Sequence, residues 1–182
     1  MTMTPTGEAR IRRSLTEEFD TGFTALVREY QPGIYSGALR LTRKPEDARD
    51  VAQDTFVRAY RALLSYDDDR VLELQIRPWL WTIALNLCRN RARSTVTEVS
   101  LLDHDVVSPV EPSDIDDAVW SRRLAGLNAH QRAAVVMRHV LDLPIAEISQ
   151  ATGRPKGTVK ADLSRGLDRL RLTIEAEVLN AK

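Results

Sequence analysis

Apolar residues recur along the first half of the chain at Phe19, Phe23, Leu26, Val27 and Tyr30, then at Ile34, Ala38 and Leu41. Steps of three and four are the signature of an amphipathic helix, not of a strand. Residues before about Glu18 carry few such positions and read as a polar lead-in. Pro32 interrupts the run and predicts the start of a second helix, because a first helical position has no use for its N–H. Pro45 repeats that signal, with Glu46 and Asp47 behind it to suit the positive end of a helix dipole. The helix it opens is predicted to reach about Leu64. It should bury Ala48, Val51, Ala52, Thr55, Phe56, Ala59 and Leu63 and leave Asp47, Asp50, Asp54, Arg58 and Arg61 outside. Beyond the turn-rich run Tyr66-Asp67-Asp68-Asp69-Arg70, a further helix is predicted from Arg77 or Pro78 to Arg93. Leu80, Ile83, Ala84 and Leu87 face inward there, and Trp79, Thr82, Asn86, Arg89, Asn90 and Arg93 share the other face.

The second half has its own pattern. Ala118 to Leu127 reads as helix, and Asn128 is a plausible N-cap for the next one, through Ala133, Val136, Met137 and Val140. In LPIAEISQATGRPKGTVKADLSRGLDRLR, Ile145 and Ile148 are followed by the small Ser149, by Gly153 and by Val159, which is helix-turn-helix spacing. Gly153 can adopt the left-handed conformation that ends a helix, and Pro155 suits the start of the next. Val159, Leu163, Leu167 and Leu170 are expected inside that second helix. Lys156, Thr158, Lys160, Ala161, Asp162 and Arg165 are left on its exposed N-terminal part, where a recognition helix meets a major groove. Thr95 to Ala118, with Pro109 and Pro112 and little sustained periodicity, reads as a linker.

Composition sharpens this picture of an all-α protein of two small helical domains. At 182 residues, 43% of them hydrophobic and 29% charged, the chain can bury real cores but has no room for a large multidomain enzyme. Its start lacks the apolar run of a secretory signal and no stretch is long enough to span a bilayer, so a cytoplasmic protein without membrane insertion is expected. The single cysteine, Cys88, excludes an internal disulfide and a cysteine zinc set, so no structural metal is expected. The zero net charge hides a division. Residues 1–94 hold 15 Lys and Arg against 13 Asp and Glu, residues 95–118 none against 7, and residues 119–182 hold 11 against 6. A basic terminal block behind an acidic linker points to nucleic acid.

Two surfaces admit two readings each. The outer stripe of the third helix, acidic first and basic last, complements a helix dipole or docks a partner. The face with Trp79, Asn86, Arg89, Asn90 and Arg93 combines an aromatic for base stacking, amides for base edges and arginines for phosphates, though Trp79 could equally sit at a core edge.

The run FTALVREYQPGIYSGALRLTRKPEDARDVAQDTFVRAYRALLSYDDD, followed by RPWLWTIALNLCRNRAR, resembles region 2 of bacterial extracytoplasmic-function (ECF, group 4) sigma factors of the sigma-70 family. LNAHQRAAVVMRHVLDLPIAEISQATGRPKGTVKADLSRGLDRLR resembles their region 4. The resemblance implies a lead-in over 1–18, region 2 over 19–94, a flexible acidic linker over 95–117, region 4 over 118–175 and a tail over 176–182. It implies an alternative sigma factor that binds core RNA polymerase and reads promoter DNA, duplex and single-stranded. Asp50, Gln53, Asp54 and Arg58 match the surface that docks the coiled coil of the largest polymerase subunit, and the polymerase flap is expected on region 4. Tyr66, Trp79, Asn86, Arg89, Asn90 and Arg93 match the part that melts the minus-10 element and takes up a flipped base, whose unstacking costs a few kcal/mol. Arg154, Lys156, Thr158, Lys160, Ala161, Asp162 and Arg165 match the minus-35 reader. An anti-sigma factor is the implied regulatory partner.

Departures from the family pattern fall at Leu85, where an arginine is common, at Asn90, where an aspartate is, and at Ala161-Asp162, where a Ser-Arg pair is. Asp162 would repel phosphate unless it pairs with Arg165 or accepts from a cytosine amino group. The competing function is a stand-alone dimeric helix-turn-helix regulator, which leaves the Trp79–Asn90 face unexplained. An enzyme is not expected: His104, His130 and His139 have no clear acid partner, no phosphate-binding glycine loop occurs, and no cofactor is implied.

Overall fold

The structure is a computed structural model that describes the backbone over residues 5–99 and 115–180 and side chains over 7–92 and 119–179. Every regular element among the described residues is helical. The first, α1 (Pro5–Glu17), occupies most of the expected lead-in. Its Ile11 and Leu15, one turn apart, are buried. Arg12 Nη1 donates to the Leu74 carbonyl at 2.9 Å, and the Glu8 carboxylate accepts from the Ile76 N–H at 2.5 Å. Two apolar positions in a polar segment are too thin a signal for periodicity to register. Close approach makes up the difference: a Cβ at Gly22 would collide with the Leu15 backbone.

The second helix, α2 (Phe19–Thr42), runs straight through Pro32, where a break was expected. Proline inside a helix costs about 3 kcal/mol. Here its ring is exposed while Leu26, Tyr30, Ile34 and Ala38, before and after it, are buried against the core, and that burial outweighs the lost hydrogen bond. The helix stops instead at Arg43, whose φ of 63° is left-handed. The third, α3 (Pro45–Leu63), buries the seven residues that the pattern assigned to it. A short α4 (Asp68–Glu73), capped by the Asp67 carboxylate on the Arg70 N–H, organises the turn-rich run.

The fifth helix, α5 (Ile76–Val99), extends beyond the expected Arg93 and into the expected linker. The rest of that linker, to residue 114, lies outside the described residues. Along α5, Leu80, Ala84 and Leu87 are buried as expected, but so are Trp81, Leu85 and Cys88, while Ile83 is only partly covered. The helix is covered on two sides, by α2 and α3 and by a helix of the second half.

In that second half, α6 (Ile115–Ala125) leads to α7 (Ala129–Val135), which Asn128 starts with a reciprocal capping box to Gln131. A π-helical turn, Val136–Val140, follows, then α8 (Ile145–Thr152) and the long α9 (Lys156–Asn180). Gly153 joins the last two with φ 67°, and Pro155 sits just before α9 with its carbonyl accepting from Val159 at 3.0 Å. Val159 is buried between them, as the spacing requires. Leu167 departs from expectation, being 36% exposed. The inward line passes through Gly166 instead, where a Cβ would press on Val135 Cγ2 at 2.8 Å, and Leu167 turns outward. The expected tail is also helical as far as Asn180, since α9 continues without a break to that residue.

The two halves share one core. Met137, Leu143, Ile148, Ala151 and Val159 belong to the same apolar cluster as the buried residues of α1 to α5. At its centre, a Cβ on Gly37 would run into the Trp81 ring and lie 3.1 Å from Leu141 Cδ1, so all three segments meet where only glycine leaves room. No described helix is long and apolar enough to cross a membrane.

Candidate nucleic-acid and partner interfaces

The N-terminal turns of α9 carry the exposed basic surface. Lys156, Lys160 and Arg165 are exposed, with Thr158 and Ala161 partly covered between them. Neither lysine is ion-paired among the described residues, so both ammonium groups face solvent. Other cations of this half serve the fold. Arg123 pairs with Glu177 at 2.8 Å, and Arg132 donates to the carbonyls of Leu124 and Leu127, satisfying the end of α6 while burial lowers its pKa. Lys156 and Lys160 thus form an exposed basic pair where α9 begins, with Arg122, Arg169 and Arg171 exposed elsewhere in this half.

Asp162 differs from its expected place on the exposed face. It is 5% exposed, and its carboxylate lies 2.9 Å from Arg154 Nη2 and 3.0 Å from Arg165 Nη2. The helix turns this side chain inward, on the buried line one turn after Val159 and one turn before Gly166, so it is not presented to a groove. The pairing with Arg165 was one of the alternatives open in the sequence; the pairing with Arg154 was not visible, since it spans the turn.

A second surface runs along α5. Trp79, Ile83, Asn86 and Asn90 follow one another at helical intervals, with Asn86 and Asn90 exposed. Arg89 Nη1 reaches Asn86 Oδ1 at 3.4 Å. Trp79 is partly buried against the core and meets Tyr66 with ring centroids 6.2 Å apart, while the Arg70 guanidinium lies 3.7 Å over the Tyr66 ring. Trp79 therefore packs against the core while remaining partly exposed. The result is an aromatic ledge at the start of a polar helix face, suited to stacking a base and hydrogen-bonding its edge. The Arg93 side chain lies outside the described residues.

The third surface is the outer stripe of α3. Asp50, Gln53 and Arg58 are exposed and Asp54 partly so. Arg91, reaching across from α5, lies 2.9 Å from Asp50, 3.3 Å from Asp47 and 3.9 Å from Asp54. The hydrogen bond that Arg91 donates to the Asp50 carboxylate raises the Arg91 pKa. Nothing in the local pattern of α3 announces this residue, which comes from another helix. Beside the stripe, α2 and α3 enclose an open groove of about 670 Å³, lined by Phe23, Val27, Phe56, Val57 and Tyr60 and edged by Arg49 and Arg61. The exposed Val57 and Tyr60 were the available sequence signal for it. Among the described residues no group of His, Cys, Asp and Glu could hold a metal ion.

Comparison with known proteins matches residues 26–97 to the Sigma-70 region 2 family and residues 119–170 to the Sigma-70, region 4 family. The chain is 32% identical over 160 residues to the RNA polymerase sigma-E factor of Streptomyces avermitilis, covering 88% of this chain and 89% of that one. It is 27% identical over 170 residues to the ECF RNA polymerase sigma factor SigW of Bacillus subtilis, covering 82% and 87%. Among solved structures, CnrH in complex with the cytosolic domain of CnrY superposes with a TM-score of 0.73 at 21% identity, over 93% of this chain and 98% of that one. RpoE with the anti-sigma factor NepR from Bartonella quintana gives 0.68 at 22%, over 87% and 98%. These two likenesses describe the fold.

Proposed function

The chain belongs to the extracytoplasmic-function sigma factors of the sigma-70 family, and from that premise we propose how its surfaces divide the work of promoter recognition. As a sigma factor it directs RNA polymerase to initiate transcription at its own set of promoters.

In this reading the module of residues 19–94, braced by α1, docks the polymerase and opens the minus-10 element. Asp50, Gln53, Asp54 and Arg58 meet the coiled coil of the largest subunit. Tyr66, Trp79, Asn86, Arg89, Asn90 and Arg93 take up the exposed strand, with the Tyr66–Trp79 ledge stacking a base that the two asparagines identify. The module of residues 118–175 reads the minus-35 element as duplex and meets the flap. Lys156, Thr158, Lys160 and Ala161 enter the major groove, and Arg154 and Arg165 flank them. The acidic segment over 95–117 suits a basic channel built for nucleic acid. The chain performs no chemistry of its own in this scheme; nucleotidyl transfer belongs to the polymerase. It works in the cytoplasm, fits the group 4 class, and is held in check by an anti-sigma factor; the solved structure of RpoE is a complex with one, NepR.

The observation that carries the reading is the pair of unengaged lysines at the start of α9, directly behind a left-handed Gly153 turn, with a stacking and amide face on α5 of the same chain. Run-off transcription with core polymerase on a genomic promoter pool tests it. New start sites preceded by two spaced elements are expected. Duplex binding by the protein alone, with no added transcripts, would replace it with the dimeric regulator.

A further inference from the structure

Asp162 occupies a place that a DNA-reading helix ordinarily gives to a contact residue, yet its side chain is 7% exposed and turned inward. Each of its carboxylate oxygens takes a different arginine. Oδ2 lies 2.9 Å from Nη2 of Arg154, before the helix, and Oδ1 lies 3.0 Å from Nη2 of Arg165, three residues further along it. Arg154 is held at its other end as well: its carbonyl accepts from the Ser149 hydroxyl at 2.6 Å and its N–H donates to the Ser149 carbonyl at 3.2 Å. Its Nε is buried without a hydrogen-bond partner, so the carboxylate is what fixes this guanidinium. Arg165 is 62% exposed, and one of its nitrogens is engaged while the others face solvent.

The contact from Arg165 is a directional charge-assisted hydrogen bond and that from Arg154 a close ion pair, and an arginine reads guanine or clamps phosphate through a planar fork of donors. A free arginine must give up about 2 kcal/mol of rotamer freedom to present that fork. One already tied to a carboxylate has given it up before the DNA arrives. Resting on the reading of α9 as the minus-35 helix, we propose that Asp162 is a positioning residue. By holding Arg154 and Arg165 in fixed orientation at either side of the exposed lysines, it sets which minus-35 sequences are accepted without itself touching DNA. Its negative charge also lowers the attraction of α9 for any phosphate backbone, so it trades general affinity for discrimination.

The test uses the full chain with core polymerase and a promoter library in which the minus-35 segment, first located by start-site mapping, is randomised. Asp162→Asn keeps the size and removes the charge. About a tenfold loss of discrimination between preferred and singly substituted sequences is expected, with output from poor sequences unchanged or raised. Asp162→Glu should recover part of the preference. In a chain already carrying R154A and R165A, D162N should have no further effect on preference, since the residues act as a unit. Output raised by one common factor on every sequence would overturn the proposal, leaving Asp162 as a simple repulsive charge. A lowered unfolding midpoint with preference intact would overturn it in favour of a role in folding alone. If K160A and R165A both leave the preference intact, the minus-35 reading fails and the proposal with it; if they relax it while D162N does not, the proposal alone fails.

Discussion

Arg77 donates from Nε and Nη2 to the two carboxylate oxygens of Glu147, both at 2.7 Å, and so fastens the start of α5 to α8 in the other half of the chain. Both side chains are partly buried, at 21% and 23% exposure, and the Glu147 hydrogen bond raises the Arg77 pKa. A bidentate pair at the edge of an apolar contact adds direction to a contact that is otherwise non-directional.

Glu147→Gln is therefore expected to loosen the packing of the two halves while each keeps its helices. Hydrogen bonds to charged groups contribute about 1.5 to 3 kcal/mol. The variant should show a larger radius of gyration by small-angle scattering with unchanged helical circular dichroism. An unchanged radius would mean that the apolar contacts hold the halves together unaided.

Asp54→Ala should weaken assembly with core polymerase and leave stability within about 0.5 kcal/mol of the parent, as is usual for a surface position. Its contact with Arg91, at 3.9 Å, is longer than those of Asp47 and Asp50 with the same guanidinium. Holoenzyme titration set beside chemical denaturation decides the matter: normal polymerase affinity would return the α3 stripe to a helix-dipole role.

Lys160→Ala and Arg165→Ala should each reduce minus-35 use by about 1 to 3 kcal/mol if they read bases, and lower the salt slope of binding by about one if they touch only phosphate. Binding to labelled promoter duplexes across a range of salt concentrations separates the two roles. Unchanged affinity for both would remove them from the interface.

Cys88 is buried on α5, and burial pushes its thiol up to about 12 from 9.0. Burial first, and the nearby Glu8 carboxylate second, raise the Tyr30 hydroxyl as well. In both cases the folded chain holds a proton that the unfolded chain releases more readily, so the stabilising effect is complete below the unfolded pKa values and is lost as pH climbs past them. Unfolding midpoints should be flat through neutral pH and fall from about pH 9 upward. Alkylation of Cys88 at neutral pH should track global unfolding; rapid reaction in the native protein would show that α5 opens locally.

How far the residues foretold this arrangement depended on whether each interaction was local. The α3 stripe, the Asn128 cap and the Gly153 turn were legible because neighbours in sequence determine them. Pro32 misled because its exposed ring let tertiary burial override a local stop signal. Trp81 and Leu85 could not be assigned inward from a single-faced pattern, since α5 is covered on two sides. At the candidate interfaces, Arg91 over the α3 acids and Arg154 against Asp162 are pairings between separate elements, which periodicity does not record.

The shared core of the two halves has a consequence in length. Elements named for positions minus-35 and minus-10 lie some 25 base pairs apart, about 85 Å of duplex at roughly 3.4 Å per pair. A chain of 182 residues packed as one body has a radius of gyration of about 16 Å. Joined through Met137, Leu143 and Ile148, the halves fall well short of that ruler, so the folded unit can grip one end of a promoter or the other. On the proposed division of work, spanning both would require the core around Gly37 and Trp81 to part, with the polymerase as the frame on which the chain is stretched to its working length.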